Sequence, residues 1–121
     1  MSLTVLAVDD SRTMRDMLRM ALTEAGFNVL LAEHGVHGLE VLEGAEPNVI
    51  ITDINMPEMD GFGFIDGVRR TDRHRAVPIL VLTTESDPAL KTRARDAGAT
   101  GWIVKPFDKS KLVQAIRRVA A

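Results

Sequence analysis

The chain has 121 residues, 45% of them hydrophobic and 26% charged, with a formal charge of −2 and no cysteine. That size and balance fit one globular domain with a single core. They exclude a disordered chain, a disulfide framework and thiolate metal sites, and give no electrostatic reason to expect nucleic acid. No apolar run approaches a membrane span, and Met1-Ser2-Leu3 leads straight into the first apolar run without a signal segment, so the expectation is a cytoplasmic protein with no membrane partner.

The predicted elements alternate between strand and helix. Residues 3–8 are apolar at nearly every position, as a strand covered on both faces is, and they end at Asp9-Asp10. Ser11 is a capping residue for the helix that follows. In it Met14, Met17, Leu18, Ala21, Leu22 and Ala25 fall three or four apart and make one apolar face, with Arg12, Arg15, Asp16 and Arg19 mostly on the other. Gly26 closes that helix as a left-handed cap does. Residues 28–32 read as a short second strand. Val36, Leu39 and Leu42 mark a second helix, weakened by Gly35 and Gly38.

Pro47-Asn48 returns the chain to a third apolar run, which stops at Asp53. Pro57, Asp60 and Gly61 are turn and helix-start residues, and a third helix over 62–70 turns Phe62, Ile65 and Val68 inward. Pro78 opens a fourth strand, 79–82, followed by Thr83-Thr84. Asp87-Pro88 pair a cap with a first-turn proline, and Ala97-Gly98 stop the fourth helix. The fifth strand, 101–104, ends at Lys105-Pro106. Asp108 caps a last helix with Leu112, Ile116 and Val119 inward. No repeat, low-complexity tract or linker interrupts the series, so residues 1–121 are expected as a single domain.

Such alternation predicts an α/β protein, a flavodoxin-like (βα)5 three-layer sandwich whose parallel sheet runs in the order 2-1-3-4-5. That order makes the first and third strands neighbours, so Asp9, Asp10 and Asp53 converge at the carboxyl edge of the sheet, where ligands bind in open α/β folds. Three carboxylates in one pocket repel one another, and a hard divalent cation with oxygen ligands, Mg2+, is the usual remedy. Lys105 adds an ammonium and Thr83 a hydroxyl. A nucleophilic carboxylate, a metal, an ammonium and a hydroxyl can together surround a phosphoryl group. Each residue alone is as readily a solvated side chain at a strand end, because loops are polar. Four strand ends that all carry chemistry make a site. By contrast, His34, His37 and His74 lack the spacing of a metal site and are expected at the solvated surface. Lys91, Arg93 and Arg95 with Lys109, Lys111, Arg117 and Arg118 read equally as a solvated face or a partner surface.

Asp9-Asp10, Asp53, Thr83-Thr84 and Lys105-Pro106-Phe107, with Met56-Pro57-Glu58-Met59-Asp60-Gly61 after the central aspartate, resemble the receiver domain of two-component response regulators. The resemblance spans essentially the whole chain. Ser11-Arg12-Thr13-Met14-Arg15, with Asn55 and Glu85 each two places past a key residue, is similar to stand-alone chemotaxis (CheY-like) regulators. The resemblance implies that Asp53 accepts a phosphoryl group from a histidine kinase. It also implies that Asp10, Asp53 and the main-chain carbonyl of Asn55 hold Mg2+, with Asp9 acting through water. Lys105 and Thr83 would contact the phosphoryl oxygens, and Lys105-Pro106 would be cis. Asn55 and Glu85 would border the path of attacking water and tune hydrolysis.

Trp102 stands where the family carries its switch aromatic, more often tyrosine or phenylalanine; the other reading is a strand aromatic that never moves. The implied output is a changed face of fourth helix, fifth strand and fifth helix that binds a target, the flagellar motor switch protein in chemotaxis. A phosphatase is a further implied partner, and a monomer is expected. No activity on a separate substrate is expected beyond phosphorylation and dephosphorylation of its own aspartate. Alternatives are a phosphorelay intermediate or a stand-alone receiver outside chemotaxis. A Mg2+-dependent Asp-nucleophile phosphatase of the haloacid-dehalogenase type would want its nucleophile on the first strand with an acidic residue two places on. Here Asp53 ends the third, and Asn55 follows. A flavodoxin-type electron carrier would need a phosphate loop and flavin-stacking aromatics that the sequence lacks.

Overall fold

Each apolar run becomes a strand and each amphipathic stretch a helix in the computed structural model, which describes residues 2–121. The elements are β1 (Thr4–Val8), α1 (Arg12–Glu24), β2 (Asn28–Ala32), α2 (Gly35–Glu43), β3 (Val49–Thr52), α3 (Gly61–Arg70), β4 (Ile79–Thr83), α4 (Pro88–Ala97), β5 (Gly101–Val104) and α5 (Lys109–Ala120). All neighbouring strands are parallel, in the order β2-β1-β3-β4-β5. The expected winding is the observed one.

Alternate residues of a strand face opposite sides, and the core divides accordingly. Leu6, Val8, Ile50, Ile79 and Val81 pack with Phe62, Phe64, Ile65, Val68 and Ala94 beneath α2, α3 and α4. Val5, Ala7, Val49, Ile51, Leu80 and Leu82 pack with Leu18, Leu22, Leu112 and Ile116 beneath α1 and α5. Helix starts follow the caps. Ser11, Asp60, Asp87 and Asp108 each accept a first-turn backbone N–H. Gly26 and Gly98 follow their helices with φ of 92° and 117°, in the left-handed region.

Several expectations are corrected. Met17 is exposed rather than inward, because the buried stripe of α1 is narrower than its apolar one. Phe64, not expected in the core, is fully buried because α3 lies between α2 and α4 and has two covered sides. Its ring explains Gly38: a Cβ there would lie 2.7 Å from Phe64 Cε1. That glycine is a close contact between helices rather than a weak point. His74 is buried, not solvated. It ends a single 3-10 turn, Asp72–His74, and its Nε2 donates to the carbonyl of Leu42 at 2.9 Å. His34 and His37 also have local partners: His34 Nδ1 caps α2 by accepting from His37 N, and His37 Nδ1 accepts from Glu33 N. No helix among the described residues is long and apolar enough to cross a membrane.

Candidate functional site

Strand register brings the carboxylates together. Val8 pairs with Thr52, so the residues that follow them, Asp9 and Asp53, leave the sheet side by side. Asp53 N donates to Val8 O at 3.0 Å and Asp9 N to Ala32 O at 3.1 Å, which extends the ladder by one step past the strands. Carboxylate oxygens of Asp9, Asp10 and Asp53 lie within 4.8 Å of one another. From the far side of the sheet, Lys105 N donates to Thr83 O at 2.8 Å, and the peptide between Lys105 and Pro106 is cis.

Lys105 Nζ lies 2.8 Å from Asp9 Oδ2 and 2.7 Å from Asp53 Oδ2. The three side chains are 10%, 2% and 11% exposed, so this is a nearly dry ion cluster. The second oxygens are also engaged: Asp9 Oδ1 accepts from Ser11 N at 2.9 Å, and Asp53 Oδ1 from Ile54 N at 2.6 Å. Asp10 is exposed and has no hydrogen bond among the described residues. Burial pushes the Asp9 carboxyl above its usual range, against the pull of the Lys105 bond. Burial alone would lower Lys105, but its bonds to Asp53 and Asp9 outweigh that and hold its proton more tightly than usual. The ammonium thus pairs with two of three clustered carboxylates, and the cluster stays short of positive charge.

Thr83, Asn55, Glu85 and Trp102 form a second group, joined at Glu85. Thr83 is fully buried and its Oγ1 accepts from Glu85 N at 3.4 Å. Asn55 Nδ2 donates to Glu85 Oε1 at 3.0 Å, across two loops. Trp102 Nε1 donates to the Glu85 carbonyl at 3.1 Å while its ring packs on the α2–α3–α4 side of the core. Nothing in the sequence signals this junction, since an indole donor finds its carbonyl only after β4 and β5 pair. Below the site, Gly61 is obligatory: a Cβ would lie 2.3 Å from the carbonyl oxygen of Asp53.

Other basic residues are largely spoken for. Lys109 pairs with Glu24 on α1, and Arg117 donates to the Ala25 carbonyl with its guanidinium over the Phe27 ring. Arg93 stacks over Phe62, 3.9 Å from the ring centroid. Lys91 and Arg95 instead line, with Trp102, a cleft of about 200 Å³ between α4 and β5. Arg15 was expected on the solvent side of α1 and is half-buried beside the acidic cluster; its spacing of three and seven places from the buried Leu18 and Leu22 is the signal for this.

The model of the response regulator receiver domain family matches residues 5–117. The chain belongs to this family. A relative, the chemotaxis protein CheY1 of Helicobacter pylori, is 42% identical over 117 residues that make up 95% of this chain and 94% of that one. Among solved structures, the Vibrio cholerae chemotaxis protein CheY4 superposes on this receiver with a TM-score of 0.94 at 43% identity, covering 98% and 99% of the two chains. The receiver domain of the Pseudomonas aeruginosa sensor histidine kinase PA1611, described with a magnesium ion in its active-site cleft, shares the fold at a TM-score of 0.92 and 23% identity, with 99% and 98% covered. This receiver is therefore of the CheY-like chemotaxis kind, in a family whose general function is that of a phosphorylation-operated switch.

Proposed function

We propose that Asp53 is the phospho-acceptor of this receiver, supplied by a histidine kinase, and that the phosphorylated form binds a target through α4, β5 and α5. The observation that carries the reading is Lys105 Nζ within 2.8 Å of both Asp9 and Asp53, with Asp10 alongside. An Asp53 oxygen attacks the phosphorus of a phosphohistidine. The P–O bond forms as the P–N bond breaks, and the ring nitrogen keeps the electron pair; with its other nitrogen already protonated on the kinase, the ring departs as neutral imidazole and this chain supplies no general acid. Lys105, already at the carboxylate, offers its ammonium to the new phosphoryl oxygens, and the Thr83 hydroxyl offers a hydrogen bond from the next strand.

The donor set is all oxygen, negative and short of counter-charge, which fits a hard divalent cation. Asp10, Asp53 and the Asn55 carbonyl would hold Mg2+, with Asp9 acting through water; when bound, it supplies charge neutralisation at the transferring group. Asn55 and Glu85, joined above the site, stand at the path of attacking water and set the lifetime of the acyl phosphate. If Thr83 turns toward the phosphoryl group, it leaves Glu85 N. Glu85 also carries Trp102 on its carbonyl, so the β4–α4 loop and the aromatic move together. That change reshapes the cleft lined by Lys91, Arg95 and Trp102, whose charge suits an acidic segment of a partner. In a chemotaxis receiver the partner is the flagellar motor switch protein, and a phosphatase would reset the signal. The chain acts as one cytoplasmic, monomeric receiver unit and is no enzyme toward other substrates. Acetyl phosphate with Mg2+ should label Asp53 alone, and Asp53→Asn should abolish labelling while the fold is kept. Mass-spectrometric mapping of the label to another residue overturns the assignment.

A further inference from the structure

Arg15 stands near the N-terminal end of a helix, which disfavours a cation. It lies one turn into α1, which Ser11 caps and which has no acidic residue in its first turn. The positive end of the helix dipole therefore opposes it. Its side chain is nevertheless only 14% exposed, against 63% for Arg19 one turn along. What holds it is a carbonyl. Nη1 donates to the main-chain oxygen of Asp9 at 2.8 Å, and Nη2 lies 3.7 Å from Glu33 Oε1, just past β2.

That carbonyl belongs to the peptide linking Asp9 to Asp10. Asp9 is fixed through its N–H by Ala32 and through its carboxylate by Ser11 N and Lys105 Nζ. Asp10 has no hydrogen bond among the described residues, so its carboxylate takes its direction from the backbone it hangs on. Arg15 grips that backbone from the side of α1. We infer that Arg15 is a positioning residue for the cation site, fixing the Asp9–Asp10 peptide so that the Asp10 carboxylate faces Asp53. The inference rests on the magnesium reading given above.

The two roles an arginine can have beside three carboxylates differ in sign. As a charge alone it repels an arriving dication, so its removal tightens Mg2+ binding. As a positioning residue it holds a ligand's backbone, and its removal weakens binding by about tenfold, as loss of an outer-shell partner does. A purely structural role lowers the thermal midpoint and leaves the affinity alone.

The experiment is calorimetric titration with Mg2+ alone, at fixed pH and ionic strength, of the unaltered protein, Arg15→Met, Arg15→Lys and Asp10→Ala, with metal-free thermal midpoints alongside. Arg15→Met should bind about tenfold more weakly. Arg15→Lys, which keeps the charge and one donor but not the fork, should fall between it and the unaltered protein. Equal or tighter binding by Arg15→Met overturns the inference. So does an Arg15→Lys affinity equal to the unaltered one, which decides the matter if Arg15→Met does not fold. The underlying reading fails separately: an unaltered protein that binds no Mg2+, or an Asp10→Ala that binds normally, removes the metal site and the role of Arg15 with it.

Discussion

Removing the ammonium at the centre of the cluster tests its electrostatics most directly. Lys105→Met keeps the stem and leaves Asp9 and Asp53, two nearly dry carboxylates, without the donor they share at 2.8 and 2.7 Å. Breaking a buried ion pair by deleting one partner costs about 3–5 kcal/mol. The cluster lies at a sheet edge beside exposed Asp10, so access of water holds the cost to the low end, about 3 kcal/mol. At roughly 4 °C per kcal/mol for a chain of this size, the metal-free midpoint should fall by about 12 °C. The assay is thermal unfolding at neutral pH in chelator, repeated with Mg2+, which should recover much of the deficit because it binds the native site alone. The pH dependence has a definite sign. In the native state the Asp53 and Asp9 bonds outweigh burial and raise Lys105, so its stabilisation is full below the ordinary lysine range. It is lost as pH rises through the raised value. That alkaline loss should be smaller in Lys105→Met, and the deficit should shrink in acid as the Asp9 carboxylate, raised by burial, takes up a proton. A metal-free midpoint equal to or above that of the unaltered protein would refute the reasoning, because the lysine would then not be offsetting the carboxylates.

Replacing both Asn55 and Glu85 by apolar residues removes the 3.0 Å bond between them and the polar route for water, so the phosphorylated state should decay more slowly. An unchanged decay rate separates these residues from hydrolysis. Trp102 is the sole tryptophan, so a beryllofluoride mimic should change its emission beyond any effect of Mg2+. Thr83→Ala should remove that change while labelling of Asp53 survives; a persisting change routes the coupling elsewhere. Gly38→Ala sets helix propensity against packing. Alanine gains about 1 kcal/mol in a helix interior. The new Cβ would meet Phe64 Cε1 at 2.7 Å and Val8 Cγ2 at 3.2 Å, both on buried side chains. Overpacking of this kind costs about 1–3 kcal/mol, so chemical denaturation should find the variant less stable; a gain would mean the helices can part at no cost.

Legibility in the sequence followed range. Ser11, Asp87 and Asp108 announce their helices because a cap and the N–H it accepts lie within one turn. Continuous apolar runs announce strands covered on both faces, and the alternation restricts the winding to few orders. Once β1 lies beside β3, the meeting of Asp9, Asp10 and Asp53 follows from where each run stops, so the acidic cluster is legible in the sequence. The burial of His74 is not legible in the sequence, because polarity is a local property and the partner of this ring is the Leu42 carbonyl, 32 positions away. Arg15 looks solvent-facing because it is charged, although its period places it on the side of Leu18 and Leu22, and its guanidinium extends back to the Asp9 carbonyl at the end of β1.

The sequence by itself determined the elements, their caps, the layered α/β class and which strand ends carry chemistry, since each depends on neighbours a few residues apart. Only the tertiary structure decided which atoms touch. Lys105 meets Asp53 across 52 positions and Asp9 across 96, Asn55 meets Glu85 across 30, and Trp102 finds the Glu85 carbonyl across 17. No local preference encodes such contacts. They exist because parallel pairing of β1, β3, β4 and β5 sets the side chains leaving those strands at one edge, within hydrogen-bond reach.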